Sequence, residues 1–336
     1  MTNVKISSLS AVGNDTFQNL TDPYRHELLV HCYRILGSLD DAEDALQETL
    51  LRAWHKLESL KVQASLRAWL YKIATNVSLD MLDRRKTRTL PTVEHAPADP
   101  NDPLPMLVYD PQWLEPLPDA LLADLPINPE ARYEIRESVT LAFLAMLQSL
   151  PGRQRVMLIL RDVLGWKAHE VAELLDLTVV AVNSTVQRAR ATMKKVQQEH
   201  STQGTTTVDD DELALLLERY LHAWEAADSA SLLALLREDA ALTMPPLTIW
   251  YRGHAAIQAF LDKHIFSGQV RGRFRLVATR ANGCPAFAVY QRDPAGVYRP
   301  GALHILTIAG DRIAQIDDFL VLDNRLFMQF GLPIIG

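Results

Sequence analysis

Leu150-Pro151-Gly152-Arg153-Gln154-Arg155-Val156 opens a helix, and the chain that follows runs through a second helix pair to Asn183-Ser184-Thr185-Val186-Gln187-Arg188-Ala189-Arg190. Ala168 to Leu175 places Val171, Ala172, Leu174 and Leu175 on one side of a short helix. Asp176-Leu177 makes a tight turn, and the Thr178 hydroxyl is positioned to cap the next helix. In that helix Val182, Val186, Ala189 and Met193 recur at three- and four-residue spacing and face inward. Val180, Asn183, Ser184, Gln187, Arg188, Arg190, Lys194 and Lys195 are left facing outward. Short amides and hydroxyls at the helix start suit base edges, and the basic residues toward its end suit phosphates. The pattern is that of a helix-turn-helix; taken alone it also fits an amphipathic helical pair in some other core.

A second stretch decides between these. Asp41-Ala42-Glu43-Asp44-Ala45-Leu46-Gln47-Glu48-Thr49-Leu50-Leu51-Arg52-Ala53-Trp54 is followed by Ser65-Leu66-Arg67-Ala68-Trp69-Leu70-Tyr71-Lys72-Ile73-Ala74-Thr75-Asn76 and the basic run Arg84-Arg85-Lys86. Together these resemble region 2 of bacterial sigma factors of the extracytoplasmic-function group, and Leu150 to Lys195 resembles region 4 of the same family. Two linked matches in the right order carry far more weight than either alone. The resemblance implies a promoter-specificity subunit that binds core RNA polymerase and promoter DNA, with no catalytic centre in these two domains.

In the first of these helices Asp40 and Glu43 read as a capping box, and Ala42, Leu46, Leu50, Ala53, Trp54 and Leu57 as the buried stripe. The opposite ridge carries Asp44, Gln47, Glu48, Leu51 and His55. By itself a solvated face with one stray leucine would look the same; the resemblance implies that Asp44, Gln47, Glu48 and Leu51 dock on the clamp helices of the polymerase. The next helix, from Leu66 to about Arg84, buries Leu66, Leu70, Ile73, Val77 and Met81 and shows Lys72, Asn76, Asp80 and Arg84 at four-residue spacing. The resemblance places recognition of the minus-ten element there: Lys72, Asn76, Asp80, Arg84 and Arg85 are the candidates, with Asn76 and the loop Ser59 to Ser65 as readers of a flipped base. Trp69 and Tyr71 read either as core or as stacking platforms.

At 336 residues, about half of them hydrophobic, the chain has room for two or three domains and no apolar run long enough to span a membrane. Met1 to Leu20 is polar and lacks a signal-peptide core, so a cytoplasmic location with no membrane partner is expected. Cys32 and Cys284 stand apart from any Cys or His at metal spacing; no zinc signature and no cofactor motif is present. The net charge of -7 is unusual for a DNA binder, but the acid is concentrated. Pro91 to Arg132 is proline-rich and holds eight acidic residues against one basic one, which predicts an extended tether with little core of its own. In the family such an acidic strand lies in a nucleic-acid channel of the polymerase. Within it, Trp113-Leu114-Glu115-Pro116-Leu117-Pro118-Asp119 is too apolar for a tether, so Trp113, Leu114 and Pro116 are expected to dock. The segment resembles the linker motif of sigma factors with a fused SnoaL-like domain, with a changed residue order.

From Glu212 onward three helices are expected, Glu212 to Ala227, Ser229 to Arg237 and Ala255 to His264. Strands at Phe274 to Arg280, Pro285 to Gln291, Leu303 to Ile308 and Arg312 to Leu320 would form one curved antiparallel sheet. With Tyr220-Leu221-His222-Ala223-Trp224 and Tyr251-Arg252-Gly253-His254-Ala255-Ala256-Ile257, this resembles the SnoaL-like branch of the NTF2-like superfamily, whose cones enclose a pocket. Candidate pocket residues are Trp224, Met244, Tyr290, His304 and Asp317, with Asp318 and His264 as further titratable groups. A small-molecule ligand is a candidate partner; isomerase-like catalysis ranks below sensing or packing, and no catalytic residue is assigned.

The expected chain is thus multidomain. Residues 20–90 form a region 2 helical bundle, 91–132 an acidic linker, 133–198 a region 4 helix-turn-helix, and 208–332 an α+β, cone-shaped NTF2-like/SnoaL-like domain. The last modulates the others through an intramolecular contact with the linker or region 2. Two other readings are an operator-binding regulator that works without polymerase and an enzyme with a DNA-binding appendage.

Overall fold

The computed structural model describes residues 14–57, 65–84, 87–105, 113–123, 125, 134–199, 209–268 and 272–335. The chain forms two compact units: Met1–Arg88 with Leu114–Leu117 and Leu121–Glu199, and Thr89–Trp113 with Pro118–Ala120 and His200–Gly336.

Among the described residues of the first unit the regular secondary structure is helical. It opens with α1 (Asn14–Thr21), α2 (Arg25–Leu36), α3 (Leu39–His55) and α4 (Leu66–Leu82). Every residue of α2 from Leu28 to Leu36 is buried, so it is the central helix of this unit. Gly37 ends it in the left-handed conformation at φ 74, and Ser38 starts α3 by accepting from the Asp41 amide. The cap is therefore Ser38 and not Asp40: glycine makes the reversal without a Cβ penalty, which brings the neighbouring hydroxyl to the third amide of the helix. Trp54 also departs from expectation. It is 37% exposed and meets the edge of Phe17 at 5.1 Å instead of entering the core.

The same unit continues through α5 (Leu141–Gln148), α6 (Gly152–Leu158, extended by a wider turn over Ile159–Val163), α7 (Ala168–Leu174) and α8 (Val179–Glu199). Buried cations join the two helical halves. Arg155 donates to the Ile35 carbonyl, to Gln148 Oε1 and to the Gln148 and Leu150 carbonyls, so the end of α2 is capped by a guanidinium from α6. Arg34 reaches Ser138 Oγ at 2.7 Å. Burial lowers both guanidinium pKa values to about 10. His31, buried beside Thr75 Oγ1 at 2.9 Å, is held neutral with its pKa near 3, first by desolvation and then by the charges of Arg34 and Arg67.

The second unit is α+β. Helices α9 (Asp210–Ala226), α10 (Ser229–Leu235) and α11 (His254–Phe260) accompany strands β1 (Leu236–Thr243), β2 (Trp250–Arg252), β3 (Phe274–Ala281), β4 (Cys284–Arg292), β5 (Tyr298–Ala309) and β6 (Arg312–Leu320), followed by α12 (Arg325–Gln329). The sheet order is β2-β1-β6-β5-β4-β3. It is mixed and not wholly antiparallel, because β1 pairs parallel with β6. β1, β2 and α12 were not foreseen; Leu236-Arg237-Glu238-Asp239 gives a strand start that reads as a helix end. One sheet face and the helices enclose a core that includes Trp224, Met244, Leu242, Phe260, Phe274 and Ile316. The other face carries Tyr290 and Ala288 against Phe327 of α12.

The linker is more than a tether. Among its described residues Trp113, Leu114, Pro116, Leu117 and Pro118 are all buried. An extended proline-rich strand orders when its few large apolar side chains find a surface, which these have done.

Candidate functional site

The turn between α7 and α8 places Asp176 at φ 55, the left-handed conformation an aspartate accepts at modest cost. Thr178 Oγ1 accepts from the Ala181 amide at 3.2 Å and caps α8. Val182, Val186 and Ala189 are buried, while Val180, Asn183, Ser184, Gln187, Arg188, Arg190 and Lys194 are exposed, the division expected of a recognition helix. Two side chains are held by neighbours. Arg190 forms a two-point ion pair with Asp162 at 2.6 and 2.8 Å, and Arg188 donates to Thr185, which faces inward. Val180 is 78% exposed, an apolar group offered to solvent at the start of the helix.

On α3, Asp44, Gln47 and Leu51 are exposed and Glu48 is half-exposed, so the acidic ridge with its leucine exists as a surface. Glu48 pairs with Arg52 at 2.6 Å, and Arg52 reaches Asp80 of α4 at 3.2 Å. On α4, Asn76 and Asp80 are exposed and Lys72 is half-exposed, and Arg84 is exposed in the turn just after the helix, which ends at Leu82 and not near Arg84. Lys72 Nζ binds both carboxylate oxygens of Asp176 at 3.0 and 2.9 Å, tying the α4 ridge to the helix-turn-helix turn. Arg85 and residues 59–64 lie outside the described residues; Ser65 is exposed at the start of α4. Tyr71 is core, packed against His31 and Trp166 with the Arg67 guanidinium 5.0 Å over its ring. Trp69 is half-buried.

In the second unit the pocket candidates separate. Tyr220 Oη and His304 Nδ1 lie 2.9 Å apart, His304 Nε2 faces Asp318 Oδ1 at 3.5 Å, and the Trp224 ring sits 4.5 Å from His304. Burial raises Asp318 to about 7 and lowers His304 to about 3, so His304 is neutral near neutrality while Asp318 titrates there. Met244 belongs to the same apolar core. Tyr290 and Asp317 do not join this group. Side chains alternate along a strand, so Tyr290 points to the Phe327 side and donates to the Pro333 carbonyl, while Asp317 accepts from Thr243 Oγ1 and Gln315 Nε2. Desolvation raises Asp317 to about 6 against those two hydrogen bonds. Tyr220 was not foreseen as a partner of His304; its one signal was a tyrosine about three turns into the first helix of this unit.

Linker segments also belong to this unit. The Trp113 indole donates to the Pro246 carbonyl at 3.2 Å, and Trp250 donates to the His95 carbonyl at 2.8 Å. Asp119 accepts from the Gly283 amide at 2.7 Å and pairs with Arg280 at 3.1 Å. Among the described residues no cluster of metal-ligating side chains occurs, and no helix is long and apolar enough to cross a membrane.

Comparison with known proteins gives a consistent picture. Residues 20–88 match the family Sigma-70 region 2, residues 140–193 match Sigma-70, region 4, and residues 217–316 match the SnoaL-like domain. The ECF RNA polymerase sigma factor SigG of Mycobacterium tuberculosis is 45% identical over 318 residues, 94% of this chain and 84% of that protein. The ECF RNA polymerase sigma factor SigW of Bacillus subtilis is 25% identical over 191 residues, 57% of this chain and 94% of its own. The crystal structure of the extracytoplasmic function sigma factor SigJ of Mycobacterium tuberculosis superposes with a TM-score of 0.58 at 21% identity, covering 94% of this chain and 99% of that one, a likeness of fold.

Proposed function

The chain belongs to the extracytoplasmic-function sigma factors, subunits that bind core RNA polymerase and direct it to promoters, and we propose how its residues divide that work. The α3 ridge of Asp44, Gln47, Glu48 and Leu51 docks on the polymerase. The α4 ridge of Lys72, Asn76 and Asp80, with Arg84 and Arg85 beyond its end, handles the minus-ten element. Val180, Asn183, Ser184, Gln187, Arg188, Arg190 and Lys194 contact the minus-thirty-five element. The observation that carries this reading is the exposed, capped α8, whose outward polar face is uncovered within its unit from Asn183 to Lys194.

The upstream specificity follows from side-chain geometry. Asn183 and Gln187 pair in bidentate fashion with adenine, and an apolar Val180 complements a thymine methyl group. An adenine-to-guanine series across the minus-thirty-five element is therefore expected to lower transcription about tenfold at the position Gln187 reads, a loss that Gln187→Ala abolishes. Replacing thymine by uracil, which removes only the methyl group, gives a several-fold loss that Val180→Ala cancels. Indifference of the wild-type chain to every such change would remove the assignment.

The C-terminal domain acts as a regulatory module. Its Tyr220 and His304 side chains are hydrogen-bonded to one another, and it holds linker residues His95, Trp113 and Asp119 by hydrogen bonds. Through that hold on the linker it modulates promoter recognition in the cytoplasm. Tethering places the contact at an effective concentration of roughly millimolar, enough to replace a separate inhibitor protein.

A further inference from the structure

Glu115 lies in the acidic linker, yet its side chain has the environment of a bound ligand. Oε2 accepts from Ser38 Oγ at 2.7 Å, the Leu39 amide at 3.0 Å and the Asp40 amide at 3.4 Å. Oε1 accepts from Arg88 Nη1 at 2.8 Å. Arg88 is itself 7% exposed and paired through Nη2 with Asp41 at 2.9 Å, so a second carboxylate also holds the cation in place. The backbone is held as well: the Glu115 amide donates to the Gly37 carbonyl at 3.0 Å, and Tyr33 Oη donates to the Glu115 carbonyl at 2.6 Å. Ser38 already caps α3, so the helix does not need a carboxylate some 75 residues away in sequence to complete its first turn. The Leu39 and Asp40 amides at a helix start, a hydroxyl and a buried guanidinium together make a site for a carboxylate.

Its neighbourhood gives the site a consequence. Leu114, fully buried, fills the space over Gly37, where an added Cβ would meet Leu114 Cδ2 at 2.6 Å and Gln148 Nε2 at 3.0 Å. The linker residue next to Glu115 thus sits where α2 meets α5, at the joint between the two promoter-reading halves. Those halves also share the Lys72–Asp176 pair and the Arg155 contact with Ile35. Minus-ten and minus-thirty-five elements are roughly 25 base pairs apart, about 85 Å of duplex. Halves that read both cannot stay packed on one another.

We propose that the start of α3 with Arg88 is a carboxylate site, filled in cis by Glu115, and that emptying it releases the linker and opens the joint. The proposal rests on the sigma-factor reading and adds its control. The site lies one helical turn from Asp44, at the near end of the ridge proposed to dock on polymerase, so docking and release act on one helix.

The test is hydrogen–deuterium exchange over residues 37–41 in the full chain, free and with core polymerase, in wild type, Glu115→Gln and Glu115→Ala, alongside transcription at limiting core. The segment is expected to be protected in the free wild type and to exchange about tenfold faster in Glu115→Gln, equivalent to one charge-assisted hydrogen bond. Core polymerase should produce the same increase in the wild type, and Glu115→Gln should raise transcription several-fold. Acetate, but not chloride at matched ionic strength, should restore protection in Glu115→Ala, since it supplies the missing carboxylate. Unchanged exchange in Glu115→Gln, or protection that persists in the polymerase complex, overturns the proposal. A chain that fails to bind core at all overturns the sigma reading instead, and the acetate experiment then still decides whether the site binds a carboxylate.

Discussion

Asp318→Asn is expected to make the C-terminal domain more stable at pH 8 than the wild type while leaving it little changed at pH 4. Burial holds the Asp318 carboxyl at about 7 in the folded chain against an ordinary value of 3.8. Between those values the folded chain keeps a proton that the unfolded chain has lost, so this group's contribution is fully present below about pH 4. It falls away as the pH rises toward 7. The difference of about 3 pH units corresponds to about 4 kcal/mol across the window. His304 and His31, both lowered to about 3, act in the opposite sense: the unfolded chain binds their protons between about 3 and 6.5, so they favour folding as the pH rises. His31 lies in the other unit and cancels in the comparison, while His304, 3.5 Å from Asp318, is neutral in the fold at pH 8. Denaturant melts followed through Trp224 and Trp250 fluorescence at a series of pH values give the two curves. Parallel curves would mean that Asp318 ionises as freely in the fold as out of it.

Reversing charge at Asp44 and Glu48 together, to arginine, is expected to reduce affinity for core polymerase at least a hundredfold. Both side chains stand on the exposed ridge of α3 beside Leu51, 53% exposed. Like charges brought together at an interface cost several kcal/mol, and each 1.4 kcal/mol is a factor of ten. Fold stability should hardly move. Asp44 is exposed, and the Glu48–Arg52 pair is a surface i,i+4 pair of the kind that contributes little. Titration of fluorescently labelled core against each chain, with thermal melts as control, measures both. Retained binding with an intact fold would place the docking face elsewhere.

What the sequence disclosed follows from the range of the forces involved. The helix-turn-helix was legible to single residues, including the left-handed Asp176 and the Thr178 cap, because turn and cap chemistry acts over three or four residues. The α3 and α4 ridges were legible for the same reason, as helical spacing fixes which side chains share a face. Tertiary contact decided the rest. Trp54 has helical spacing suited to the core, but Phe17 from another helix offers it an edge at the surface. β1 could not be read from its own residues, since its parallel partner β6 lies some seventy positions downstream. Tyr290 and Asp317 looked like pocket residues until strand pleating turned them to the opposite face from His304. Nor could charge pairing be foreseen. Lys72 with Asp176 and Glu115 with Arg88 join residues far apart in sequence, which no local pattern pairs.

In vitro transcription with purified bacterial core polymerase, the full-length chain and a pool of genomic promoter fragments tests the central claim most directly. Transcripts with defined start sites, each preceded by a shared pair of elements, are expected, and they vanish when the chain or the core enzyme is left out. Specific binding of the chain to duplex DNA without polymerase, or association with core that yields no defined start, would contradict it.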